Sequence, residues 1–120
     1  MFQYNLQMTI WLDESQNEGK VLQYHLELPH TPQINMEVKT GALAETIYAY
    51  AWSKESGTFE CRVLEECAFG GHDLYAELEN RYLVNGWVYV QTLINVEKHP
   101  EFIDPPINNV VNFKNFRLKS

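Results

Sequence analysis

Phe2-Gln3-Tyr4-Asn5-Leu6-Gln7-Met8-Thr9-Ile10-Trp11-Leu12 opens the chain with an apolar side chain at every even position. A repeat of two puts those side chains on one face of a β-strand, with Gln3, Asn5, Gln7 and Thr9 on the other. The stretch from Asp13 to Lys20 is polar and ends in Glu18-Gly19-Lys20, a turn signal. Leu22, Tyr24, Leu26 and Leu28 then alternate with Gln23, His25 and Glu27. Two such strands joined by a short connection read as a long antiparallel hairpin, around which the rest must be built.

Working outward, Pro29-His30-Thr31-Pro32 stops the hairpin, because proline brings no donor to a ladder. Ile34, Met36 and Val38 alternate in a short third strand that Gly41 closes. Residues 42–52 carry two periods at once. Leu43, Ile47, Tyr50 and Ala51 fit a helix, whereas Tyr48, Tyr50 and Trp52 alternate with Ala49 and Ala51 as in a strand. The turn-forming Ser53-Lys54-Glu55-Ser56-Gly57 and the alternation of Thr58-Phe59-Glu60-Cys61-Arg62-Val63 favour a second hairpin, Thr46–Trp52 with Thr58–Glu65.

Gly70-Gly71 is a break, after which Asp73 is placed to cap a helix from Leu74 to about Leu83. Leu74, Leu78 and Tyr82 share its apolar stripe, with Tyr75 beside it. Asn85-Gly86 ends that helix or turns a hairpin, and Trp87–Val90 reads as strand either way. The expected class is α+β, a mainly antiparallel sheet built from hairpins with one or two helices packed on it. An all-β sandwich or barrel is the alternative.

The chain has 120 residues, the size of one domain, so 1–120 is expected to form a single core. Sixteen acids face nine bases for a net charge of −7. Lys114, Arg117 and Lys119 lie in the last seven residues, and no acid follows Asp104, which leaves residues 1–104 at −10. The basic segment 105–120 also carries Val110, Val111, Phe113, Phe116 and Leu118, too apolar for a free tail, so it is expected to dock on the body. An acidic body repels phosphate backbones, which argues against nucleic acid and suits a basic protein partner. No apolar run approaches the roughly 18 residues that span a bilayer, so no membrane role is expected. Cys61 and Cys67 lie on the order of 20 Å apart if extended, beyond disulfide reach. Free thiols and the absence of a signal-peptide pattern at Met1-Phe2-Gln3-Tyr4-Asn5 point to the cytoplasm.

Candidate chemistry is thin. Cys67, His72 and Asp73 are close in sequence, but adjacent His72 and Asp73 point apart in most conformations, so a nucleophile–base pair is poorly supported. Cys61, Cys67, His72 and His25 lack the short spacings of a zinc site. Glu65-Glu66 in a strand and Glu77 with Glu79 in a helix diverge, and Gly70-Gly71-His72 lacks a phosphate-loop pattern. No catalytic, metal or cofactor residue is therefore designated. What remains is a surface. Trp11 falls among the polar residues of the first strand, and Tyr48, Tyr50 and Trp52 make a second aromatic stripe. With Glu65 and Glu66 these are the candidate protein-binding residues. The expected function is a non-enzymatic, acidic binding module that inhibits a basic partner stoichiometrically. Bacterial immunity and antitoxin proteins share this general composition. The alternative is a small enzyme or ligand-binding protein using His25, Cys67 and His72, with Glu27.

Overall fold

A computed structural model of the chain describes residues 1–94 and 110–111. Its elements are β1 (Phe2–Trp11), β2 (Glu18–Leu28), β3 (Glu37–Thr40), β4 (Leu43–Ser53), β5 (Thr58–Val63), β6 (Glu66–Cys67), α1 (His72–Leu83), β7 (Val88–Ile94) and β8 (Val110–Val111). The opening alternation forms the hairpin it predicts. β1 and β2 pair antiparallel without a slip, from Phe2 opposite Leu28 to Trp11 opposite Gly19. The second hairpin also forms, with β4 against β5, so residues 43–53 are strand rather than helix.

The strands follow the order β3-β4-β5-β1-β2-β7-β8 in an open sheet, and β6 runs beside β1 beyond the end of β5. The pairings β1–β2, β2–β7, β3–β4 and β4–β5 are antiparallel, as expected of a mainly antiparallel sheet, but the sheet as a whole is mixed. β5 and β6 lie parallel to β1, and β8 lies parallel to β7. Alternation states which side chains face the core but carries no information about the direction of the neighbouring strand. The sandwich and barrel alternatives give way to this open sheet with a helix on it.

Tyr4, Leu6, Met8 and Ile10 of β1 are buried on the helix side, with Leu22 of β2 and Cys61 and Val63 of β5. The helix joins β6 to β7, two strands that run the same way on either side of the central hairpin. It buries Tyr75, Leu78 and Tyr82 in that core. Leu74, expected on the buried stripe, is exposed. Asp73 is not the cap either. Gly71 occupies that position without a side-chain bond, and Asp73 sits in the first turn, where a carboxylate still favours the exposed amides. Gly86 has φ +95°, so the Asn85-Gly86 pair does end the helix with a left-handed residue.

The β3–β4 ribbon closes the same face. Past an irregularity between Ile47 and Ala49, Val38, Thr40, Glu45 and Ile47 are buried. The Tyr82 hydroxyl donates to Glu45 Oε2 at 3.1 Å, and Trp87 Nε1 donates to Thr40 Oγ1 at 3.1 Å. Asn85 pins the ribbon to the helix end, accepting from Ala42 N and donating to the Arg81 carbonyl, both at 2.8 Å. On the opposite face, Thr9, Trp11, Val21 and Leu93 are buried. The docking expected of 105–120 lies outside the described residues, apart from the pairing of Val110 and Val111 with Thr92 and Leu93.

Candidate functional site

β4 alternates large and small side chains, Tyr48-Ala49-Tyr50-Ala51-Trp52, and its pairing with β5 fixes what each one meets. Tyr50 lies opposite Cys61 and Trp52 opposite Phe59, and Phe59 in turn lies beside Tyr4 of β1. This face is the one the helix covers further along the sheet. The helix does not cover the β4–β5 end. There the Trp52 and Phe59 ring centroids are 4.8 Å apart, Tyr50 meets Phe59 edge-on at 6.4 Å, and Phe2 meets it at 6.0 Å. Trp52 is 54% exposed, Tyr50 44% and Phe2 39%. Phe59 is thus the half-buried hub of an aromatic cluster whose outer rings face solvent. The base of the cluster is held firmly, because the buried Tyr4 ring touches Phe59 at 5.9 Å and its hydroxyl donates to the His30 carbonyl at 2.6 Å.

The other face of the same strands is shaped by the alanines. Ala49 aligns with Arg62 and Ala51 with Glu60, and their short side chains leave a groove of about 370 Å3. Gln7, Glu60 and Arg62 supply its polar lining. Glu60 Oε2 is held by Asn5 Nδ2 at 2.7 Å. Cys61 contributes no nucleophile, since burial first and the Glu60 charge second push its thiol up to about 12.

The edge of β4 changes character along its length. β3 accompanies it only as far as Thr46, and Ile47 exchanges backbone bonds with Asn35 and Met36. From Ala49 to Ser53, β5 is the one neighbouring strand among the described residues. An edge strand of this kind presents the N–H and C=O groups of alternate residues outward. This one carries no charged residue and no proline between Tyr48 and Trp52.

The structure separates the candidate binding residues. Tyr50 and Trp52 stand together on the surface. Tyr48 is half-buried at the irregularity in β4. Trp11 lies on the face opposite the helix, as the alternation requires, but it is 0% exposed rather than on the surface. Its ring lies over Gly19, where an added Cβ would fall 2.5 Å from Trp11 Cε3. Glu65 is only 1% exposed, with the Trp11 and Thr9 side chains beside it. Burial pushes its carboxyl up to about 8, against smaller opposing effects of those neighbours and the Arg62 charge. Burial thus favours its protonated form, and it is an internal acid rather than part of an acidic surface. Glu66 is half-buried opposite Ile10. After burial and the Glu45 charge, Glu66 also raises the Tyr82 hydroxyl.

Phe2 and Phe59 belong to the cluster but were not singled out by the sequence. A signal for Phe59 existed. Placing the turn at Ser53–Gly57 sets Ser53 opposite Thr58, which puts Phe59 opposite Trp52.

The residues proposed for an enzyme do not converge. His25 lies opposite Asn5 and Cys67 opposite Trp11, six residues and roughly 20 Å apart along β1. His72 begins the helix, exposed, and none of the three lines the groove. Among the described residues no group of three His, Cys, Asp or Glu side chains is placed to hold a metal ion, and no helix is long and apolar enough to cross a membrane. Comparisons with protein-family models, curated proteins and solved structures give no match.

Proposed function

We propose that this chain is a non-enzymatic protein-binding module that engages a basic protein partner and inhibits it by stoichiometric occlusion. The observation that carries the reading is the aromatic cluster of Tyr50, Trp52, Phe59 and Phe2, partly exposed at the uncovered end of the sheet. Large rings held on a rigid strand lose little conformational freedom on contact, which is why such residues dominate binding energy at interfaces. The charge of −7 supports the sign of the partner, because complementary potentials speed encounter and reject acidic competitors.

The test is co-purification with the tagged chain from its native cells, followed by reconstitution from purified components. The reading expects a basic protein in an equimolar complex, loss of that protein's activity on binding, and weakening by about 30-fold or more in Trp52→Ala. A partner that is acidic, or a complex indifferent to both Trp52→Ala and Tyr50→Ala, overturns it.

A further inference from the structure

We infer that the free edge of β4, from Ala49 to Ser53, takes up an extended segment of the partner as an additional strand. The segment alternates apolar residues with lysine or arginine. This inference deepens the reading above and rests on it.

Three observations converge on this stretch. Its outer edge lacks a strand neighbour among the described residues, whereas the same edge is satisfied as far as Ile47. It also lacks the charges and prolines with which exposed edges usually discourage pairing. Finally, its two faces differ in a way that specifies the side chains of an incoming strand. On the helix side, Tyr50 and Trp52 flank the edge and ask for apolar neighbours.

On the other side the edge offers only the methyl groups of Ala49 and Ala51, with Glu60 and Arg62 behind them across the groove. An added strand would run roughly 10 Å from β5, two strand spacings away. A lysine or arginine stem laid over Ala51 and the stem of Glu60 together span that gap, forming a charge-assisted bond at the groove floor. A larger residue at position 51 would block the path. The acid is already oriented by Asn5, so little ordering is needed when the cation arrives. The whole-chain charge of −7 favours the same sign of ligand. It also opposes edge-to-edge pairing of two copies of this chain.

The full-length chain, isotopically labelled, would be titrated with the synthetic peptide acetyl-Arg-Val-Arg-Val-Arg-Val-amide. Expected are slowed hydrogen exchange, by about tenfold or more, at alternate amides within 49–53, and matching shifts of the Trp52 indole resonance. N-methylation of the valine amides should weaken binding about tenfold, and Glu60→Gln several-fold. The Gln side chain still offers Asn5 an acceptor, so the fold is kept. A peptide with glutamate in place of arginine should bind more weakly than its arginine counterpart by a comparable factor. Binding that leaves residues 49–53 unaffected overturns edge docking while the basic-partner reading stands. Absence of binding by the arginine peptide also overturns edge docking, and the equimolar complex with the native partner then decides the broader reading separately. Slow exchange at 49–53 without peptide, together with a doubled solution mass, overturns the inference in favour of a second copy of the chain.

Discussion

Glu65 shows how one side chain can set the pH response of the molecule. Its carboxyl is buried beside Trp11 and Thr9 and is pushed up to about 8 from an ordinary value of 4.5. Between those two values the folded chain binds a proton that the unfolded chain has released, so stability falls as pH rises through this window. The contribution is intact below about 4.5 and lost by about 8, on the order of a few kcal/mol. Glu65→Gln keeps the shape and removes the titration. Denaturant midpoints measured from pH 5 to 8 should decline for the parent relative to this variant, and parallel profiles would contradict the account. Gly19 is a second position where a single atom matters. The Trp11 ring occupies the space of the missing Cβ, so Gly19→Ala should cost about 1–3 kcal/mol in the same measurement. Neither effect is legible in the sequence. The alternation assigned Trp11 to the polar face, yet burial of Trp11 and Glu65 is decided by what covers that face, which no local period encodes.

At the scale of elements, β4 divides into a structural half and an exposed half. Glu45 and Ile47 are buried under the helix, so Ile47→Ala should destabilise by about 2–5 kcal/mol. Trp52→Ala, half exposed beyond the irregularity, should cost about 1 kcal/mol or less while removing most partner affinity. Thermal denaturation of the two variants separates these roles, and a Trp52→Ala loss as large as that of Ile47→Ala would make the aromatic cluster part of the core. The residues of β4 carry both a helical and a strand period, the turn at Ser53–Gly57 leans towards the strand, and the pairing with β5 decides it. The helix begins two residues earlier than the Asp73 cap implies, because Gly71 rather than Asp73 precedes its first helical residue. The parallel placement of β5 beside β1 was the main element-level feature that patterning did not disclose. Once β2 fills one edge of β1, the sequence says that the other edge needs a partner, but not which strand arrives or in which direction.

For the molecule as a whole, the proposed binding draws on two separable contributions, the long-range field and the local cluster. The net charge of −7 acts at a distance, where mobile ions screen it. The rings of Tyr50, Trp52 and Phe59 act only on contact and are nearly indifferent to salt. Raising ionic strength from about 0.05 to 0.5 M shortens the screening length severalfold, so the association rate with a basic partner should fall about tenfold or more. The dissociation rate should change much less, because contacts already formed are partly shielded from solvent. Trp52→Ala should show the opposite signature, with a raised dissociation rate and a nearly unchanged association rate at every salt concentration. Stopped-flow or surface-binding kinetics across that salt range would measure both rates. Similar salt dependence in both rates, or a Trp52→Ala effect confined to association, would mean that charge and the aromatic cluster do not divide the work in this way.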